Sequence, residues 1–224
     1  MNLIFLGMNE AGREVYNWLN SRDDVEVLAV LTEKTQLDLI QRLEPDMVVS
    51  SGFEHRVPGD IIEVPEKGIV NLHPSFLPYN RGSYPYIWPI IDKTPAGVSI
   101  HFMDEEIDTG DVIARREVPV FPDDTAKSLR ERLMSEQAEL FKQKWDVITD
   151  DPETFEQEDE NATLHTREEF GELREIDLED ENSFREHIDR LRALTHPPQR
   201  NAYFELDGER YFLRLEIERD GSIN

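Results

Sequence analysis

The feature that most constrains this chain is an alternation confined to its N-terminal third. Short apolar runs at residues 2–6, 25–31, 46–50 and 68–72 are separated by stretches with helical spacing. Val15, Trp18 and Leu19 share one face of the first such stretch. The run over 25–31 is rich in β-branched residues, as strands are. A short helix is expected over 35–43, stopped by Pro45, and a helical turn over 57–62. Strand and helix following one another at this spacing predict a parallel sheet with helices on both faces.

The order then changes. Residues 83–91 read as a helix packing Trp88 and Ile91. Residues 97–103 alternate Val98, Ile100 and Phe102 against Ser99 and His101. With a strand over 111–118 they predict an antiparallel hairpin joined by an acidic loop. The longest helix is expected over 125–148, with Leu129, Leu133, Leu140 and Phe141 at helical spacing. From about Asp150 the sequence is acidic and irregular to residue 181, with a possible strand over 157–166. A helix over 184–194 follows, then a hairpin pairing 201–206 with 210–217 around Asp207-Gly208. This predicts a larger unit over 1–150 and a small α+β subdomain over 151–224.

Lys and Arg number 24 against 49 Asp and Glu, a formal charge of −25. A surface that negative repels phosphate backbones and anionic lipid, so neither nucleic acid nor membrane is an expected partner. The acid excess is spread along the chain, and only six of the basic residues are Lys. Two readings fit: adaptation to a salty cytoplasm, where counterions screen the repulsion, or an ordinary acidic enzyme. Cysteine is absent, which excludes disulfides, thiolate metal sites and a Cys nucleophile. No apolar run approaches ~18 residues and no signal-peptide pattern opens the chain, so a soluble cytoplasmic protein is expected.

The chemistry gathers in two loops. Asn71-Leu72-His73-Pro74-Ser75-Phe76-Leu77-Pro78 follows the fourth run, and Ile107-Asp108-Thr109-Gly110 lies between the two later strands. Alternation puts Asn71 and His73 on one face, where an amide and an imidazole could hold a carbonyl oxygen and move a proton. Asp108 could orient the imidazole, as the third member of a triad does. From the residues alone, His73 also fits a structural role. The turn Gly7-Met8-Asn9-Glu10-Ala11-Gly12 lacks the second glycine of a dinucleotide fingerprint, and reads better as a strand-to-helix turn. His55, His101, His165, His187 and His196 show no metal-binding spacing, so no metal is expected. Ser75 lacks the setting of a hydrolase nucleophile.

Taken together, Asn71 to Pro78, Arg81-Gly82, Pro85, Trp88, Gly97-Val98, Ile100-His101 and Asp104 through Asp111 resemble the folate-dependent formyltransferase family. The resemblance covers about residues 1–145. It implies a Rossmann-like catalytic domain with a mostly parallel sheet, using 10-formyltetrahydrofolate as formyl donor. Carried over by position, it implies Asn71, His73 and Asp108 as the catalytic residues. It also implies a folate pocket from Gly52, Phe53, Glu54, His55, Arg56 and Val57, the turn Ser75, Phe76, Leu77 and Pro78, and Asp104 and Ile107.

Three departures bear on the acceptor. The region after 150 is short and acidic, unlike the tRNA-binding domain of methionyl-tRNA formyltransferases. Glu10 occupies the loop where the purine-pathway enzyme holds phosphate. Only about fifteen residues join the second and third strands, which predicts that one wall of the sheet is missing. Asn161 to Arg167, Leu191 to Pro198 and Ala202-Tyr203-Phe204 resemble the tail of sugar N-formyltransferases. A nucleotide-linked amino sugar is therefore the expected acceptor. Formyl transfer to another amine, of the methionyl-tRNA or glycinamide ribonucleotide type, remains open. So do formyl-folate hydrolysis and a non-enzymatic folate-binding or scaffold role. Phe212 and Leu215 on the last hairpin suit either a homodimer face or the subdomain core.

Overall fold

The computed structural model describes residues 1–220. In chain order the elements are β1 (Asn2–Leu6), α1 (Glu10–Asn20), β2 (Glu26–Leu31), α2 (Asp38–Leu43), β3 (Met47–Ser51), α3 (Gly59–Ile62) and β4 (Ile69–His73). Then come β5 (Arg81–Gly82), α4 (Trp88–Ile91), β6 (Gly97–Phe102), β7 (Val112–Glu117) and α5 (Ala126–Thr149). The C-terminal part holds β8 (Leu164–His165), α6 (Arg167–Arg174), α7 (Phe184–Leu194), β9 (Tyr203–Leu206) and β10 (Glu209–Phe212).

Six strands form the central sheet in the order β2-β1-β3-β4-β6-β7. The first four run parallel, and β6 and β7 continue antiparallel. β1 leads outward to β2, while β3 lies on its other side. The order therefore reverses at β1, and a crevice opens at the carboxyl ends of β1 and β3. Gly7, Gly52 and His73 all sit at that edge.

Period-two alternation divides the core between the two faces. Leu3 and Phe5 of β1 join Val15, Leu19, Leu129, Leu133 and Phe141 under α1 and α5. Ile4 and Leu6 point the other way and meet Leu31, Leu37, Ile40, Val57 and Ile61. The wall expected to be missing is thus present but thin. The segment between β2 and β3 forms a 3-10 turn and the short α2, and Leu37 and Ile40 bury themselves against the sheet. α5 starts on a Thr125 cap and crosses the sheet against α1. There Trp18 sets its ring edge-on to Phe141 and Trp145.

Elsewhere the structure corrects the sequence reading. The helix expected over 83–91 shrinks to one turn, because Tyr84 has φ of +55° and Pro85 follows it. The possible strand over 157–166 is two residues long, β8, paired in parallel with β5. The stretch to residue 181 contains α6, opened by a Thr166–Glu169 capping box. Its burial rests on Phe170, too little apolar signal to read from sequence. The last hairpin turns through Asp207 and Gly208, both at positive φ as a two-residue turn requires. Its second strand stops at Phe212. Beyond it, the Leu213 and Leu215 amides bond to Ala202 O and Thr195 Oγ1 rather than to a strand.

Candidate active site

β4 brings Asn71 and His73 to one face of the sheet, and antiparallel β6 pairs Asn71 with His101 and His73 with Ser99. Strand alternation thus sets two histidine rings side by side, 6.3 Å apart and perpendicular. The loop between β6 and β7 then returns Asp108 over them. Its Oδ2 lies 3.6 Å from His73 Nδ1, and its Oδ1 lies 3.6 Å from His101 Nε2. Asn71 Nδ2 stands between, 3.1 Å from His101 Nε2 and 3.5 Å from Asp108 Oδ1.

Hydrogen-bond partners fix the proton positions. His101 Nδ1 donates to Phe102 O at 2.8 Å, so Nε2 of the neutral ring accepts from the Asn71 amide. Burial holds this ring below the ordinary imidazole value of 6.5; Asp108 opposes that shift and His73 reinforces it. His73 Nε2 donates to Asn80 O at 3.2 Å. Its Nδ1 therefore faces Asp108 as a lone pair, and once protonated it faces the carboxylate as a cation. The pair can accept a proton and stabilise the charge that results.

Asp108 has φ of +56°, a conformation most residues avoid. The Gly82 amide donates to its Oδ2 at 2.9 Å. Two residues on, a Cβ at Gly110 would lie 2.0 Å from Phe102 O, so only glycine fits there. Gly52, at φ of +75°, is similarly closed in by the Asn9 side chain. Asn9 caps α1, accepting from the Gly12 amide and Ser51 Oγ.

These groups form one wall of a cavity of about 750 Å³. Gly52, Phe53, Glu54, His55, Arg56 and Val57 line one side, joined by Asp104 and Ile107. Asp104 accepts from Thr109 Oγ1 and the Glu106 amide, which shapes the loop before Asp108. Ser75, Phe76, Leu77 and Pro78, expected in this pocket, do not line it. The Leu77 amide bonds to Ser99 Oγ, which donates in turn to Ser75 O. That ladder turns Ser75 and Leu77 into the core, while Phe76 lies under the Arg115 guanidinium and the Pro78 carbonyl takes the Thr163 amide.

The far side of the cavity is lined by Ser83 to Tyr86, Arg130 and Leu164 to Arg167. A smaller cleft of about 320 Å³ continues past Tyr84 and Tyr86 toward Phe170 and His196. Glu10 pairs with Arg130 at its mouth. His165, assigned from sequence to the appendage, reaches this wall through β8, stacks on Trp88 at 4.0 Å and sits 3.3 Å from Asp92. Sequence reasoning also passed over His101, although its alternation with Ile100 placed it on the face shared with Ser99. Among the described residues, no cluster of His, Asp and Glu is arranged to hold a metal ion.

The formyl transferase family profile matches residues 29–144, and that of the N-formyltransferase dimerization C-terminal domain matches residues 169–219. The chain is 37% identical over 176 residues to a dTDP-4-amino-4,6-dideoxyglucose formyltransferase of Mycobacterium tuberculosis, an alignment spanning 77% of this chain and 74% of that protein. It superposes on a 4-N formyltransferase from Francisella tularensis with a TM-score of 0.89 at 28% identity, covering 98% of both chains. It also resembles a formyltransferase from Anoxybacillus kamchatkensis, solved with UDP-4,6-dideoxy-4-formamido-L-AltNAc and tetrahydrofolate. There the TM-score is 0.69 at 27% identity, over 77% of this chain and 89% of that one. On the family match over residues 29–144 and the extent of the 37% identical alignment, this chain belongs to the formyl transferase family.

Proposed function

We propose that the protein transfers a formyl group from 10-formyltetrahydrofolate to the primary amine of a nucleotide-linked amino sugar. One observation carries the reading: the Asn71 amide, the Nδ1 edge of His73 and the Asp108 carboxylate meet at one wall of a cavity of about 750 Å³. The bound donor supplies an activated formyl carbon. Asn71 keeps one N–H on His101 and holds the other only loosely toward Asp108, ready to turn to a carbonyl oxygen gaining negative charge. A donor preset for such charge is worth ~3–4 kcal/mol of barrier. His73 Nδ1 takes the proton that the attacking amine must lose. The resulting cation is held by Asp108 on one side and Asn80 O on the other. As the tetrahedral adduct collapses, the bond between the formyl carbon and N10 of the donor breaks, and the proton held on His73 passes to that nitrogen, releasing tetrahydrofolate and the formylated amine.

The loop from Gly52 to Val57, with Asp104 and Ile107, fits the donor's pterin. Backbone groups at the end of β3 suit its amide edge, and Val57 and Ile107 supply apolar walls. For the acceptor, one relative is named for a dTDP-4-amino-4,6-dideoxyglucose, another was solved with a UDP-linked 4-formamido sugar and the third is called a 4-N formyltransferase, which supports a 4-amino sugar here. The same proposal divides the chain into a catalytic domain over 1–150 and a C-terminal subdomain over 151–224. It also includes a homodimer formed through the subdomain, as the matched family's description suggests, and a salt-adapted cytoplasmic setting.

The test is a formyl-transfer assay with 10-formyltetrahydrofolate and a panel of dTDP- and UDP-linked 3- and 4-amino sugars, with a no-acceptor control. Folate release that requires one 4-amino sugar is the expected result. Release without an acceptor would make the protein a hydrolase. H73A and D108A should each lose at least about a hundredfold in turnover. Wild-type turnover in both variants would overturn the mechanism.

A further inference from the structure

Residues 145–168 lie between the two family-matched segments, yet they return to the site. Thr154 Oγ1 bonds to Asp111, and Phe155 pairs with Val112 through both backbone groups. Farther along, the Thr163 and His165 carbonyls accept from the Arg81 and Ser83 amides, and Thr163 Oγ1 accepts from the Asn80 amide. The strap thus touches the Asp108 loop first. It then runs along the loop that supplies Asn80 O to His73 and the Gly82 amide to Asp108.

Gln157 sits where the strap passes between them, and it is buried. Its Nε2 donates to Asp108 O at 2.9 Å and to Gly110 O at 2.7 Å. Its Oε1 accepts from Arg81 Nε at 3.1 Å and Nη2 at 3.0 Å. Only a primary amide satisfies this set, because two carbonyls need donors at one end while a guanidinium needs an acceptor at the other. A residue kept at positive φ persists when its surroundings over-determine it. Here Gln157 holds the Asp108 backbone and Gly82 holds its carboxylate.

We propose that Gln157 is a positioning residue for the reaction, fixing the Asp108 carboxylate against His73 by clamping the Asp108–Gly110 backbone to Arg81. The activity side of this inference rests on the formyl-transfer reading; the clamp itself does not. Q157E keeps the shape and the acceptor but loses both donors, and Q157A removes the clamp entirely. Each is expected to lower kcat about 10- to 100-fold while KM for donor and acceptor stays within about twofold. In a D108N background the same changes should cost almost nothing more, since Gln157 acts through Asp108.

The reading independent of turnover is hydrogen exchange at the Gly82 amide, followed by NMR. Protection there should fall in Q157E and Q157A toward the level of D108A, which lacks the acceptor altogether, while amides of β1 and β3 keep theirs. That exchange pattern in an enzyme transferring no formyl group would sustain the clamp and reject the formyl-transfer reading. Losses that add fully to those of D108N, or unchanged Gly82 exchange and unchanged kcat, would overturn the proposal. If Q157A does not fold, the near-isosteric Q157E alone decides both readouts.

Discussion

His101 is held toward its neutral form by burial, which outweighs the Asp108 carboxylate and the Nδ1 bond to Phe102 O, both of which favour the cation. That neutrality has a pH signature. The unfolded chain protonates this imidazole near 6.5, whereas the folded chain resists it, so the unfolded state binds more protons below that pH. Stability is therefore whole above about pH 6.5 and falls as pH drops, by up to ~1.4 kcal/mol per pH unit for one such group. His165, lowered by its own burial, acts in the same direction. Thermal melting should be flat from about pH 7.5 to 6.5 and fall from there toward about pH 5, and H101Q should flatten part of that fall. A wild-type melting temperature independent of pH in that window would contradict the assignment. At this scale the meeting of Asn71, His73 and Asp108 was legible through the family resemblance of the two loops that carry them; from residue types alone, His73 fitted a structural role as well. Gln157 was not: a lone glutamine among acids carries no periodicity, and its partners lie 47 to 76 residues away in sequence.

The loop from Asp104 to Gly110 works because it is closed at both ends, by the Asp104–Thr109 turn and by the contact of Gly110 with the Phe102 carbonyl. G110A has no room for its methyl group. It should displace Asp108 and abolish measurable transfer while leaving the far-UV spectrum of the sheet intact. Full activity in G110A would show that the loop adapts. The last hairpin raises a different issue, since Phe212 and Tyr211 are each 42% exposed and Leu206 is 50% exposed. If this face joins two copies, F212D should turn a dimer into a monomer in sedimentation, with the β1–β7 core still folded. The central strands and α5 could be read from sequence because each buries a regular apolar pattern. The shortened helix at 88–91 could not, as it depends on one left-handed residue at Tyr84. The length of β8 could not either, since a two-residue strand is defined by its partner alone.

Across the whole molecule, 49 carboxylates face 24 cationic side chains. Many cations are committed to exposed pairs such as Arg167 with Glu54 and Arg210 with Glu205, which contribute little individually. The unbalanced remainder repels itself over the surface, and added salt shortens the reach of that repulsion to ~3 Å at 1 M. The melting temperature should rise from millimolar to molar potassium chloride; an unchanged value would reject salt adaptation. The path of the strap has a further consequence, one of timing. Ribosomes deliver a chain from its N-terminus, so Asn71, His73 and Asp108 emerge well before Gln157 and the peptide that grips the Gly82 loop. A nascent chain exposing only its first 150 residues carries all three reacting side chains but none of the segment that braces them. Competence for chemistry then arrives with the tail, and a chain stopped before Gln157 would hold its three reacting side chains without the segment that braces them.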